Sequence, residues 1–289
     1  MDRFMGRKRI DSDRLIAQAQ EVRRIVAAGS YEVEGVTVDL APALGTALNG
    51  VRLITPRQWH RLIDQARERC TGPVAAVSLT DETTVQALER LTATGHSQVA
   101  ALNFASARRP GGGWDGGSPA QEESLARASA LVATLEEAPG YYAANRACEH
   151  LFYTDHAIWS PSVPFFMHND GSLLPNPHVA GIITMPAPNV GAMQLTEEDL
   201  LELPAVWRRR ITAVLALAIM QDVRHLVLGA WGCGAFRNEP SEVALCFREV
   251  LTEGPWLRGF ASVTFAIFEG SREPRCLTAF REALSEMAS

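Results

Sequence analysis

The apolar positions of this chain switch repeatedly between a helical and a strand period. Over residues 11–29, Leu15, Ile16, Ala19, Val22, Ile25 and Val26 recur at helical spacing and Gly29 closes the run, which predicts an amphipathic helix. YEVEGVTVDL then alternates apolar with polar residues around Gly35 and predicts a hairpin, followed by a loop through Pro42, Gly45 and Asn49. TPRQWHRLIDQARERC predicts a second helix starting at Thr55 with Pro56 in its first turn, with Trp59 packed and His60 at the surface.

From Val74 the pattern becomes that of an α/β sheet. PVAAVSLT reads as a strand, TTVQALERLTAT as a helix and QVAALNF as a second strand, a βαβ unit that favours parallel pairing. Glu122 to Leu135 reads as one helix, stopped by Pro139-Gly140, and IWSPSVPFFMHNDG reads as a loop with several breaks. HVAGIITMPAPNVG gives a buried strand, WRRRITAVLALAIMQDV a helix lying against the sheet, and HLVLGAWGCGAFRN a strand that runs into glycines. PSEVALCFREVLTEG, SVTFAIFEG and PRCLTAFREALSEM supply a helix, a last strand and a terminal helix. Strands with intervening helices predict a three-layer α/β/α sandwich with a mixed, largely parallel central sheet. Residues 1–72 are read as an N-terminal extension packing on a main domain of residues 73–289.

Composition narrows the function. A length of 289 residues with 47% hydrophobic content supports a sizeable core. A net charge of −6 argues against nonspecific nucleic-acid binding, which depends on a basic surface. Arg108, Arg109, Arg208, Arg209 and Arg210 are candidates for a local basic groove but read first as solvated faces. Cys70, Cys148, Cys233, Cys246 and Cys276 show neither CxxC spacing nor paired histidines, so no zinc site and no disulfide framework is expected, and reduced thiols in a cytoplasmic protein fit best. MDRFMGRKRI has no apolar core after its positive charges and ITAVLALAIM is too short to span a bilayer, so neither a targeting signal nor membrane association is expected.

Polar chemistry concentrates in NFASARRPGGGWDGGSPAQEESLAR, residues 103–127, where a strand becomes a helix. Glycines without side chains let a ligand approach main-chain N–H groups, which suits a phosphate-bearing ligand, and the helix start leaves Glu122 and Glu123 in its first turn. The glycines of GAWGCGAF form a second cradle, and the absence of GK[ST] disfavours a P-loop NTPase. Cys233 reads as a small residue in a tight turn rather than a nucleophile, since no histidine adjoins it.

GGG, seven residues, then QEE closely resembles the signature of the poly(ADP-ribose) glycohydrolases. The flanking LNFASA and SLARAS, and the segment SPSVPFF, resemble the microbial type of that family. The resemblance covers roughly residues 74–280 and is weakest in the N-terminal third; Ala126 stands where the microbial family often has cysteine. It implies a macrodomain-like fold that binds ADP-ribose, with Gly111, Gly112, Gly113 and Gln121 at the substrate and Asn103 on hydroxyls of the distal ribose. It also implies that Gly232, Cys233, Gly234, Ala235 and Phe236 wrap the diphosphate, Phe236 packing on the distal ribose. Asn189 fits a proline-rich strand exit as well as ligand contact, and Phe268 fits either an adenine-stacking aromatic or a core residue.

Hydrolysis of a ribose–ribose bond creates an oxocarbenium-like centre and requires a proton for the departing oxygen. Adjacent glutamates on a helix diverge by roughly 100°, so they are not the facing pair of an ordinary retaining glycosidase. The resemblance makes Glu123 the general acid and then base, and gives Glu122 an orienting role. Glu123 is then expected to have its pKa raised by burial or neighbouring charge. No cofactor and no metal is expected. The partners implied are poly(ADP-ribose) or an ADP-ribosylated protein, with ADP-ribose as product, released from chain ends in the DNA damage response. The competing readings are an ADP-ribose-binding macrodomain without catalysis and a hydrolase of mono-ADP-ribosyl groups.

Overall fold

The computed structural model describes residues 2–269 and 274–287, with side chains from residue 12 onward. The composition of MDRFMGRKRI, on which the expectation of no targeting signal rests, therefore lies outside the described side chains. The chain runs α1 (Asp2–Ala28), β1 (Ser30–Val33), β2 (Val36–Asp39), α2 (Ala41–Asn49), β3 (Arg52–Ile54), α3 (Trp59–Arg69), β4 (Ala76–Thr80), α4 (Thr84–Ala93) and β5 (Val99–Phe104). It continues through α5 (Gln121–Ala128), α6 (Leu131–Glu136), α7 (Pro139–Ala147), β6 (Ala157–Met167), β7 (Leu173–Met185) and α8 (Glu197–Met220). The last elements are β8 (His225–Leu228), α9 (Pro240–Glu253), β9 (Ser262–Ala266) and α10 (Arg275–Leu284).

A seven-stranded sheet in the order β3-β6-β7-β5-β8-β9-β4 forms the centre. The pairs β7–β5, β5–β8, β8–β9 and β9–β4 are parallel, while β6 runs against both of its neighbours. Alternation along the buried strands divides the core. Ala100, Leu102, Ile183, Met185, Leu226 and Leu228 face the layer of α3, α8, α9 and α10, and Val99, Ala101, Ile182 and Val227 face that of α4 to α7. The expected three layers are thus present.

The N-terminal segment does more than lie on the outside. Arg52–Ile54 pairs with Ala157–Trp159 and so adds an edge strand to the sheet. Helix α1 packs its Ala19, Val22 and Ile25 in a third apolar cluster with Trp114, Ala126, Ala130 and Phe166, directly behind the glycine-rich segment.

Four local expectations are corrected. The stretch around Pro42 and Gly45 is helix α2, because Pro42 sits in the first turn, where it gives up no helical hydrogen bond, and Asp39 Oδ1 accepts from Ala41 N–H at 2.9 Å. The single helix from Glu122 to Leu135 is broken at Ser129, which is extended and bridges to Phe165 of β6. Ser129 Oγ donates to Leu125 O at 2.7 Å and accepts from Leu131 N–H at 3.2 Å, closing α5 and opening α6. Pro139-Gly140 starts α7 rather than stopping a helix. The supposed loop IWSPSVPFFMHNDG is largely strand β6, whose register shifts against β7 between Ser160 and Val163 with Ser162 at φ 48°. Pro161 and Pro164 are tolerated there because β3 pairs only as far as Trp159, leaving that edge of β6 free of a strand partner.

Trp114 is 4% exposed and joins α1 to the glycine-rich segment. Trp114→Ala is expected to lower stability in urea unfolding by about 3–5 kcal/mol, as for other fully buried Trp truncations.

Candidate functional site

A cavity of about 420 Å³ opens at the carboxyl ends of the parallel strands, the position favoured for ligands in open α/β sheets. Its walls are Thr83 to Val85 at the start of α4, Phe104 and Ser106 leaving β5, and Pro119 to Ser124 entering α5. The opposite side is built by Ala230 and Gly232 to Phe236 after β8, and by Ile267, Phe268 and Glu269 after β9. Both glycine-rich segments singled out in the sequence therefore meet across one cleft.

The first turn of α5 is locked to the end of β5 by side chains. Gln121 Oε1 accepts from Phe104 N–H at 2.9 Å, and its Nε2 donates to Leu102 O at 2.8 Å and Thr84 Oγ1 at 3.1 Å. Glu122 turns inward and is 3% exposed; its Oε2 accepts from Ser106 N–H at 2.7 Å and its Oε1 from Asn103 Nδ2 at 3.3 Å. Glu123 turns to the glycines, its Oε1 accepting from Gly113 N–H at 2.9 Å. The two carboxyls converge on Gly112 (φ +58°), where a Cβ would lie 2.5 Å from Glu123 Oε1 and 3.0 Å from Glu122 Oε2. Only glycine fits that approach.

Burial pushes the Glu122 carboxyl up to about 8, opposed by the bonds from Ser106 and Asn103 and reinforced by the charge of Glu123. The carboxyl with the displaced titration is thus the inward one.

Behind Glu123, one turn along α5, Arg127 is 4% exposed and donates from Nη1 to Trp114 O at 3.0 Å. Burial pulls its pKa down, partly offset by the charge of Glu123. Arg109 and Arg23 both pair with Asp115, at 2.7 Å each, on the far side of the same segment. Arg210, expected on a solvated face, is fully buried: it donates to Asp155 Oδ1 at 2.8 Å, Pro186 O at 3.0 Å and Phe152 O at 2.6 Å, fixing the exit of β7. Arg208 and Arg209 are half-exposed and paired with Glu249 and Asp155.

Of the sequence-derived candidates, Gln121, Glu122, Glu123, Gly232, Cys233, Gly234, Ala235, Phe236 and Phe268 line the cavity. Phe268 is 62% exposed, which excludes the core alternative. Asn103 lies behind Glu122, where its Nδ2 also donates to Thr184 Oγ1 at 3.2 Å and its Oδ1 is buried without a partner. Gly112 and Gly113 stand against the carboxyls and Gly111 against Trp114 and Val132, and none of the three is on the cavity wall. Asn189 is off the wall and donates to Tyr153 Oη at 3.2 Å. The neighbouring Cys276 thiol and then burial push the Cys233 thiol up, against a nucleophilic role.

Thr84, Ser106, Thr184, Arg127 and Asn238 were not singled out in the sequence. Ser106 lay within the quoted ASAR run, but nothing in that run says that its amide would meet a carboxylate sixteen residues on. Asn238 is 3% exposed; its Nδ2 donates to Pro188 O at 2.8 Å and Gly232 O at 3.0 Å, tying the exit of β7 to the loop after β8. Among the described residues no group of three or more His, Cys, Asp and Glu converges in a way that could hold a metal ion, and no helix is long and apolar enough to cross a membrane.

A sequence profile described as microbial-type PARG, catalytic domain, matches residues 19–168. It begins inside the segment read as an N-terminal extension. The crystal structure of poly(ADP-ribose) glycohydrolase from Thermomonospora curvata bound to the inhibitor ADP-HPD is 39% identical, with a TM-score of 0.86 over 93% of this chain and 98% of that one. The enzyme from Deinococcus radiodurans in complex with ADP-ribose is 44% identical, with a TM-score of 0.80 over 86% of this chain and 99% of that one. No curated protein sequence matches the chain.

The raised titration of Glu122 has a thermodynamic consequence. The unfolded chain releases this proton near 4.5 and the folded protein holds it to about 8, so stability falls as pH rises through that interval. Glu122→Gln has no such proton to lose. Thermal midpoints measured between about pH 5 and about pH 8.5 are expected to fall less steeply for the variant than for the wild type, and equal slopes would refute the assignment.

Proposed function

The chain belongs to the microbial-type poly(ADP-ribose) glycohydrolases, and from that membership we propose how its own residues divide the work of the reaction. The observation that carries the proposal is the single cavity in which the two adjacent glutamates face the glycine loop after β8. A terminal ADP-ribose unit lies in this cleft with its diphosphate against Gly232 to Phe236 and its adenine toward Phe268. A space of about 420 Å³ is in the range that receives one compact ligand such as a single ADP-ribose unit.

Glu123 carries the proton. It gives it to the departing ribose hydroxyl as the anomeric carbon of the distal ribose becomes oxocarbenium-like. As carboxylate it then takes a proton from the water that attacks that carbon. Gly113 N–H holds its Oε1, which fixes the carboxyl for both steps. Glu122, whose burial holds its proton up to about 8, orients the ribose hydroxyl next to the reacting oxygen. Asn103, buried behind Glu122, acts on the sugar through that carboxyl, which it holds by donating to its Oε1 at 3.3 Å. Gly112 gives the two carboxyls room to converge, Gly111 seats the segment against Trp114 and Val132, and Asn189 supports the cleft through Tyr153. A cytoplasmic site of action, in removal of ADP-ribose polymer after DNA damage, belongs to the same proposal.

Glu123→Gln is expected to lose about 10²–10⁴-fold or more in turnover while retaining ADP-ribose binding. Purified protein is incubated with automodified polymer and, in parallel, with a singly modified acceptor, and free ADP-ribose is measured. Release from the acceptor alone favours mono-ADP-ribosyl hydrolysis, and binding without release favours a recognition module. Near wild-type release by the variant removes Glu123 from its role. Gly112→Ala, which forces a methyl group onto both carboxyls, is expected to lose roughly 10²-fold in kcat/KM, the scale of a misplacement of about 1 Å.

A further inference from the structure

We propose that Asn238 is the positioning residue of the loop that receives the diphosphate; the inference rests on the reading of that loop given above. The peptide joining Gly232 to Cys233 is the point of choice. Gly232 has φ +75°, a region open to glycine, and a peptide beside such a residue turns over easily. In one orientation the Gly232 carbonyl points into the protein. Turned over, it would aim an acceptor at the ligand's phosphate oxygens and repel them.

Asn238 selects the first orientation. Two of its donors converge on that one carbonyl: Nδ2 at 3.0 Å and the backbone N–H at 3.1 Å. The other hydrogen of the side-chain amide reaches Pro188 O at 2.8 Å, so the loop after β8 is fastened to the exit of β7. The amide cannot be reversed without setting its oxygen against two carbonyl oxygens. Contact is tight on that side, since a Cβ at Gly232 would lie 2.6 Å from Ala187 Cβ and 2.9 Å from Asn238 Nδ2. On the Cys233 side of the same peptide, the N–H donates to Ala230 O at 3.2 Å, and Gly191 N–H donates to Phe236 O at 2.8 Å further along.

The consequence lies in the donors left over. Among the described residues, the N–H groups of Gly234, Ala235 and Phe236 make no hydrogen bond to the protein, and all three residues line the cavity. They form a short run of donors fit for an anion whose oxygens accept from main-chain N–H groups. Asn238 also has a cost, since its Oδ1 is buried without a partner. A side chain serving only to fill space there would do better without polar atoms.

Asn238→Ala removes both side-chain bonds, and Asn238→Asp keeps the shape but replaces the donors by acceptors. Calorimetric titration with ADP-ribose, thermal midpoints and amide hydrogen exchange are measured on the full chain. The expected result is binding roughly tenfold weaker. Faster exchange at residues 232–236 should accompany it, with exchange in β5 unchanged. On polymer, KM is expected to rise by about tenfold and kcat to change by less than about threefold, the pattern of lost binding with intact chemistry. ADP-ribose affinity within about twofold of wild type in a folded variant, or unchanged exchange at residues 232–236, overturns the inference. Should the alanine variant not fold, the aspartate variant decides by the same readings. Absence of ADP-ribose binding by the wild type would defeat the diphosphate reading instead, and exchange alone would then decide whether Asn238 holds the loop.

Discussion

The site depends on a set of hydrogen bonds that join the end of one strand to the beginning of one helix. A helix start leaves its first N–H groups without partners and its position relative to a sheet weakly determined. Here Gln121 grips Phe104 and Leu102 of β5 from the first residue of α5, and Glu122 follows by accepting from Ser106 and Asn103. These bonds do the work of a ladder between two elements that cannot form one. With the helix fixed in this way, the residue after Glu122 has no freedom to face the core, and Glu123 is delivered to the cleft.

The same arrangement gives the two carboxyls different surroundings although they are neighbours in sequence. Glu122 is enclosed by strand, loop and helix, and burial holds its proton. Glu123 meets a main-chain N–H and the cavity. A helix turn, not a difference in residue type, separates their environments. On the other side of the cleft the geometry is kept by groups that never reach the ligand cavity: Arg210 on Pro186 and Asn238 on Pro188 hold the exit of β7 from both sides.

Much of this was legible in the sequence where chemistry is local. The strands of the parallel core, the hairpin and the order GGG then QEE follow from period, turn residues and motif, whereas the two strands of the expected βαβ unit, β4 and β5, are parallel but do not pair, because β8 and β9 lie between them. Expectations failed where a distant partner decides. Ser129 breaks a helical run because Phe165 of β6 offers it a bridge, and no residue near Ser129 announces that. SPSVPFF looks like a loop because two prolines normally exclude a strand, yet β3 ends before them. Arg210 reads as one of three consecutive arginines on a surface, and only the tertiary fold shows that Asp155 and four backbone carbonyls enclose it. The raised carboxyl is Glu122 because the environment that buries it comes from β5 and the loop behind it.

Helix α1 supplies the backing of the glycine-rich segment, through Trp114 and through Arg23 on Asp115, a contact spanning 92 positions. Contacts so far apart along the chain carry a closure cost and form late. During synthesis α1 therefore leaves the ribosome with an apolar stripe that Tyr31, Leu40 and Leu44 cover only in part until Trp114 and Ala126 have been made. The nascent chain must keep that stripe from pairing elsewhere, and the glycine-rich segment gains its final shape only when α1 closes on residues made 92 positions later.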